Sequence, residues 1–481
     1  MFKIPRLLFE KSRPGKTGYS FASPLPDDPP LLIEGDRVRQ DIPDFPELSE
    51  VEIVRHYTNL SILNHSVDRG FYPLGSCTMK YNPKLNEKIA GMAELSAHPY
   101  TPADLVQGNL TLMHQLTGWL TALTGLPHYT LSPAAGAHGE FLGIMMIRKY
   151  LESRGDPRQI ILMPDSAHGT NPASAHFAGY RIKEIPSNAD GIIDINTLKQ
   201  NLGPEVAALM VTNPNTLGIF EKHVREISRA LHENGSLLYM DGANMNAFLG
   251  ILRPADCGVD VLHLNLHKTF STPHGGGGPG SGPIGVSEKL AEFLPQPRLI
   301  SGPEGFGFDP GGDQSVGRIK NFYGNYLVMV KALVYLKSLG RENIRQVAED
   351  AVLNANYLRA RLKEILRLPY PSKTLHEVVF TDKGLPVSTL HIAKRLLDYN
   401  MHPFTMYFPL IVQGAMMIEP TETESRETLD EFVEALQAIL TEAGKNPEII
   451  ETAPHRTPVK KLDETLAARQ PVLKWQRNPE S

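Results

Sequence analysis

Residues Val259–Gly285 read VDVLHLNLHKTFSTPHGGGGPGSGPIG. The apolar run from Val259 to Leu266 predicts a buried strand. It ends at His267-Lys268, and an eleven-residue stretch with seven glycines begins at Gly275. A lysine at the end of a buried strand is costly to desolvate as a cation. Burial lowers a lysine pKa, and a neutral amine attacks carbonyl carbon. Glycines admit a ligand where any Cβ would collide. Together these features point to a Schiff-base lysine beneath a phosphate-bearing cofactor, pyridoxal phosphate.

Upstream segments offer the other parts such a cofactor needs. Ser236–Met240 predicts a strand that delivers Asp241-Gly-Ala-Asn244. An aspartate there can pair with the pyridinium nitrogen and keep the ring an electron sink. Ala243 is small enough to lie against a ring face. Ser132–Glu140 (SPAAGAHGE) precedes a helical pattern with apolar Phe141, Leu142, Met145 and Leu151. A turn of small residues at a helix N-terminus presents free N–H groups and a favourable dipole to phosphate. Ile160–Met163 leads as a strand into Asp165-Ser-Ala-His168, where His168 can stack on the other ring face. Val206–Val211 leads into Thr212-Asn-Pro-Asn215, where Asn215 can donate to the ring hydroxyl. Each candidate follows an apolar run, and ligand groups gather at strand C-termini in open α/β sheets.

Each piece alone has a blander reading. A lysine after a strand is usually solvated, an aspartate there is usually a turn residue, a loop histidine usually sits at the surface, and a glycine run can be a flexible loop. The order decides: phosphate turn, His, Asn, Asp, then a lysine 27 residues after the Asp. Gly280-Ser-Gly-Pro-Ile-Gly285 matches G-x-G-x-x-G literally but follows Pro279 rather than a strand, so the dinucleotide context is missing. His263, His267, His274 and Cys257 fit no common zinc spacing, and no metal is expected.

At this point the chain resembles a known family, the pyridoxal-phosphate subunits of glycine dehydrogenase (decarboxylating), the P-protein of glycine cleavage systems, in the split prokaryotic form. The matching stretches span nearly the whole chain: Val54-RHY, Tyr72-PLGSCTMKYNP, Ser132-PAAGAHGE, Asp165-SAHGTNPAS, Thr212-NPNTLG, Asp241-GANMNA, His263-LNLHKTF, Pro273-HGGGGPGSGP, Phe322-YGN and Glu419-PTETE. The resemblance implies an α/β, fold-type-I (aspartate-aminotransferase-like) architecture. It implies Lys268 as the Schiff-base residue, Asp241 at the ring nitrogen and His168 as the stacking residue. His267 and the Gly136-Ala137 turn are carried over as phosphate contacts. The activity implied is decarboxylation of glycine with transfer of the aminomethyl group to the lipoyl group of the H-protein. The implied partners are a homologous, lysine-lacking subunit 1 in an (αβ)2 heterotetramer and, indirectly, the T- and L-proteins. Other fold-type-I decarboxylases, serine hydroxymethyltransferase and aminotransferases remain alternatives. A non-catalytic interaction subunit is a further one, against which Lys268 counts. His138, His168, His376 and Glu377 stand unranked as candidates to protonate the product carbanion.

Composition agrees with a large soluble enzyme. The 481 residues exceed one ordinary core. With 48 basic and 53 acidic residues the net charge is −5, which removes a bulk drive toward nucleic acid or anionic membrane. Two cysteines, Cys77 and Cys257, cannot build a disulfide framework. No run of 18 apolar residues or secretory h-region is present, and a cytoplasmic chain is expected. The expected organisation is an N-terminal arm with helices (1–115), a cofactor-binding large domain with a mostly parallel sheet (116–335), a smaller α+β domain (336–452) and a tail (453–481). The arm carries the Pro-rich stretches Pro24–Pro30 and Pro43–Pro46 and helices near Ser49–Leu63 and Asn109–Thr124. Glu221–Asn234 predicts an amphipathic helix. Farther on, Arg345–Leu366, Thr389–Tyr399 and Arg426–Glu442 predict helices, and His376–Phe380 and Ala415–Glu419 strands.

Overall fold

A computed structural model describes residues 4–16, 18, 37, 45–275 and 280–474. Pro24–Pro30, Pro43 and Gly276–Pro279 lie outside the described residues. The chain forms two compact units, 1–69 with 452–481, and 70–451. In the smaller unit the helix Glu50–Leu63 opens with a capping box, in which Ser49 and Glu52 satisfy each other's backbone donors.

The larger unit is built on a seven-stranded sheet. Its strands are β1 (His128–Thr130), β2 (Ile160–Pro164), β3 (Arg181–Ile185), β4 (Val206–Thr212), β5 (Leu237–Asp241), β6 (Val261–His263) and β7 (Ile284–Val286), in the order β1-β7-β6-β5-β4-β2-β3. Pairings from β3 through β6 are parallel, and β7 runs antiparallel to both β6 and β1. Both faces are covered, so the central strands read as unbroken apolar runs. Alternation still sorts their side chains. Leu209, Val211, Leu238, Met240 and Leu262 enter one core, with Leu110, Met113, Leu116 and Leu120 of the helix Gln107–Thr124. Ala208, Met210, Leu237, Tyr239 and Val261 enter the other, against Leu142, Ile147 and Leu151 of the helix Gly136–Ser153. Each such fully buried Leu contributes about 1.5–3 kcal/mol of transfer free energy.

A hairpin follows, β8 (Arg298–Gly302) with β9 (Gly305–Asp309). The helical run Tyr326–Leu362 is broken at Gly340, whose φ of 68° and ψ of 170° are non-helical. An antiparallel sheet of β10 (Val378–Thr381), β12 (Ala415–Ile418) and β11 (Thr405–Met406), in that order, packs with the helices Thr389–Leu396 and Arg426–Lys445 around Phe380, Ile392, Phe432 and Leu436. The expected alternation of strand and helix, followed by an α+β region, is borne out. Several boundaries differ, such as the helix expected over Arg345–Leu366, which runs within Tyr326–Leu362, and the strand expected over His376–Phe380, which is Val378–Thr381. The strand expected over Val259–Leu266 is Val261–His263 only, and Leu266–Phe270 forms turns. Past His263 the pairing becomes one-sided, since Pro283 has no N–H to return: Leu264 N–H donates to Pro283 O and Leu266 N–H to Ser281 O, and Lys268 N–H then turns back to Asn265 O. Among the described residues no helix is long and apolar enough to cross a membrane.

Candidate functional site

Sheet register sets the centre of the site. Thr212, Asp241 and His263 are Cα partners at the C-terminal ends of three adjacent parallel strands. By alternation they share the face of Ala208, Met210, Tyr239 and Val261, the face covered by the helix Gly136–Ser153. Asp241 is 2% exposed. Its Oδ1 accepts from Ala243 N–H at 2.9 Å and its Oδ2 from Asn171 Nδ2 at 3.1 Å. His263 Nε2 lies 3.2 Å from Oδ1, an ion-pair distance, but misaligned for a hydrogen bond, so this nitrogen has no hydrogen-bond partner. Tyr239 Oη meets its Nδ1 at 2.9 Å. Burial pushes the Asp241 carboxyl upward, but His263, Lys268 and the two N–H donors outweigh it and hold the group below the usual carboxylate range. A buried aspartate kept ionised at a strand end is suited to hold a cationic N–H.

Lys268 is half-buried in the turn after β6. Its charge acts on Cys77, His168, Asp241, His267, His274, His376, Glu377 and Glu419, which places it at the electrostatic centre of this constellation. His168 is also half-buried. Its Nδ1 contacts Thr170 Oγ1 at 2.8 Å, and that hydroxyl donates to Glu140 Oε1 at 2.9 Å. Burial first, then Lys268, push the His168 pKa down, so the ring is neutral at pH 7. Phe408 approaches it edge-on, with centroids 5.3 Å apart.

The Ser132–Glu140 turn runs into the helix Gly136–Ser153, where Ala135 is extended and gives no side-chain cap. The first N–H groups of this 18-residue helix are left for a ligand. Gly136 is buried and Ala137 exposed at the lip. Close packing here demands glycine: a Cβ on Gly136 would stand 2.4 Å from Asn265 Oδ1, and one on Gly282 would stand 2.1 Å from Ala135 O. His267 and His274 pack edge to face at 5.1 Å. Burial, then neighbouring positive groups, push them down to about 3 and about 4. The Oδ1 of Asn265, the Oγ atoms of Thr272 and Ser281 and the Nε2 of His274 are buried without hydrogen-bond partners. Orphaned polar atoms beside an uncapped helix N-terminus, a lysine and an ionised aspartate fit a phosphate-bearing aldehyde.

Most residues singled out in the sequence therefore converge: Gly136, Ala137, His168, Asp241, Ala243, His267 and Lys268. Asn215 does not. Its Oδ1 accepts from Leu217 and Ile219 N–H in its own loop, and its Nδ2 donates to Gly191 O at 2.6 Å in another, so the bonds the structure gives it join two loops rather than reach the constellation around Asp241. The amide that reaches Asp241 is Asn171. Asn171, Thr170 and Glu140 were missed, although Asn171 and Thr170 stand in the quoted Asp165 segment. His263 was weighed only as a metal ligand, and counting register from Asp241 would have found it.

Comparison with known proteins agrees with this fold. Residues 143–302 match the aminotransferase class-V family model, and residues 347–459 match the model of the glycine dehydrogenase C-terminal domain. A protein of Kosmotoga olearia described as a probable glycine dehydrogenase (decarboxylating) subunit 2 is 52% identical over 476 residues, covering 97% of this chain and 99% of its own. A protein of Bacillus velezensis with the same description is 54% identical over 480 residues, covering 98% and 97%. Among solved structures, glycine decarboxylase (P-protein) of the glycine cleavage system in inhibitor-bound form superposes with a TM-score of 0.71 at 23% identity. It covers 84% of this chain and 93% of that one, a likeness of fold.

Proposed function

The chain belongs to the family of glycine dehydrogenase (decarboxylating) subunit 2, and from that premise we propose that it holds pyridoxal phosphate on Lys268 and decarboxylates glycine. The observation that carries the reading is the meeting of Lys268, the ionised Asp241 and the uncapped helix N-terminus at Gly136 around one set of orphaned polar atoms. Bound there, the cofactor supplies an electron sink for the pair released as the bond from Cα to the carboxylate breaks.

The chain's own groups do the rest. Lys268 Nζ is the amine that would hold the cofactor's aldehyde. Asp241 holds the proton on the ring nitrogen, where a charge-assisted hydrogen bond is strongest in a dry site. His168 and Ala243 would bound the ring on its two faces. The N–H groups of Gly136 and Ala137, with the Ser281 hydroxyl and His267, take the phosphate. In the proposed reaction the aminomethyl group passes to the lipoyl disulfide of an H-protein. A lysine-lacking subunit 1 completes the enzyme as an (αβ)2 assembly, and the T- and L-proteins act downstream. Exchange of labelled bicarbonate into glycine, assayed with H-protein and with or without subunit 1, tests this. Exchange should need both polypeptides. Full exchange by this chain alone would remove the partner, and no exchange with both would remove the activity.

A further inference from the structure

Next to Asp241 the sheet buries two polar rings. Tyr239 stands two residues before Asp241 on β5, and His263 is the Cα partner of Asp241 on β6. Alternation puts all three side chains on one face. Tyr239 and His263 are each 0% exposed. Tyr239 Oη meets His263 Nδ1 at 2.9 Å, and His263 Nε2 stands 3.2 Å from Asp241 Oδ1. Phenol, imidazole and carboxylate thus form one chain. The helix Gly136–Ser153 makes room for it with Gly139 and Gly143, one turn apart. Glycine is unfavourable inside a helix, but here packing requires it. A Cβ on Gly143 would stand 2.4 Å from Tyr239 Cε2, and one on Gly139 would stand 2.8 Å from Gly282 O and 3.4 Å from His263 Cβ.

The protons along the chain follow from its two ends. Burial first, then Glu140 and Asp241, raise the Tyr239 phenol well above its usual range, so the hydroxyl keeps its proton. Its one hydrogen-bond partner among the described residues is His263 Nδ1. A buried O–H that does not donate is costly, so Nδ1 accepts and the ring proton sits on Nε2. The opposite tautomer would strand the phenol proton and set the Nε2 lone pair 3.2 Å from a carboxylate oxygen. As the chain stands Nε2 makes no hydrogen bond, and a small rotation of the ring aligns its N–H on Oδ1. On Asp241, Oδ1 already accepts from Ala243 N–H and Oδ2 from Asn171 Nδ2. Each carboxylate oxygen can take two such bonds. With Nε2–H on Oδ1, the open position is on Oδ2.

We infer that Tyr239 and His263 are positioning residues for Asp241: the phenol fixes the imidazole tautomer, and Nε2–H binds Oδ1, which orients the carboxylate and leaves Oδ2 to hold the proton on the cofactor's ring nitrogen. The inference rests on the reading of Asp241 as the partner of that nitrogen.

Nitrogen-15 NMR of the cofactor-free protein with labelled histidine tests the tautomer without any cofactor. A bare Nδ1 and a protonated Nε2 are expected at pH 7, assigned to His263 by the signals lost in His263→Gln. A bare Nε2, or protons on both nitrogens, would overturn the inference. The link to Asp241 is read from the dissociation constant for pyridoxal phosphate, followed by visible absorbance. His263→Phe keeps a ring without a donor and should weaken binding about tenfold or more, the usual effect of losing a bond to a charged group. Tyr239→Phe, which releases the tautomer, should weaken it in the same direction. His263→Gln restores an N–H donor and should recover most of the loss. In an Asp241→Asn background His263→Phe should cost less than about threefold further, because residues that act through one group are not additive. An equal loss with and without the Asp241 carboxylate would show that the ring only packs, and would overturn the inference. A dissociation constant unaffected by Asp241→Asn alone would refute the role of Asp241 at the ring nitrogen, and the inference with it, whatever the tautomer.

Discussion

Replacing Lys80 should show what anchors the loop beneath the site. Its side chain is 1% exposed. Nζ bonds Glu422 Oε1 at 2.7 Å, Asn246 Oδ1 at 2.9 Å and Tyr335 Oη at 3.1 Å, and it stands 5.0 Å over the Tyr335 ring. At an effective dielectric near 20 the ion pair attracts by about 6 kcal/mol. Desolvation of both ions offsets most of that, so the intact pair adds little net stability. Removing one partner is different, because Glu422 then loses its bonded cation while its side chain is only 10% exposed. The expected cost of Lys80→Met is about 3–5 kcal/mol. Lys80→Met with Glu422→Gln removes both charges and should recover at least half of that. Urea unfolding followed by circular dichroism, run as a double-mutant cycle, measures both values. A single variant no less stable than the double would refute a buried, mutually compensated pair. Asn246 lies five residues after Asp241, so the single variant should also weaken cofactor retention.

Two further outcomes follow from the site and its surroundings. Asp241→Asn keeps an acceptor for Ala243 N–H but loses the charge, and at about 1.5–3 kcal/mol for a charge-assisted hydrogen bond turnover should fall roughly ten- to a hundredfold or more; near-normal turnover would contradict its role at the ring nitrogen. Glu424 is raised by burial from 4.5 to about 7, so the folded protein binds the proton more tightly than the unfolded chain and loses stability as pH rises from about 4.5 to 7. Glu424→Gln should therefore gain stability relative to the parent across that window and hold the gain above it; urea midpoints at pH 5 and pH 8 that differ equally between the two proteins would contradict this.

Local sequence carried much of the site because strand ends are local. The apolar runs ending at Val211, Met240 and Leu266 located Asp241 and Lys268, since a parallel sheet covered on both faces writes its strands as apolar stretches. The same run overstated β6, because apolar content continues through Leu264 and Leu266 after the ladder has ended. Asn215 reads two ways, because a polar residue after a strand serves a ligand or a turn equally well in sequence; here Oδ1 closes its own turn and one Nδ2 hydrogen goes to Gly191 O in another loop. The bonds from Ser76 N–H to Glu377 and from Thr78 N–H to Glu419 were not legible, since 301 and 341 residues separate the partners and no local pattern encodes contacts at that separation. His168 was found, but the Thr170–Glu140 chain behind it depends on how the helix Thr170–Phe177 meets the helix Gly136–Ser153, 30 residues apart in sequence.

The most direct measurement is borohydride reduction of the protein loaded with pyridoxal phosphate, followed by peptide mapping. A pyridoxyl group on Lys268, lost in Lys268→Ala while the circular dichroism spectrum is unchanged, is the predicted result. A label on any other lysine, or an unchanged yield in Lys268→Ala, would contradict the assignment of this site.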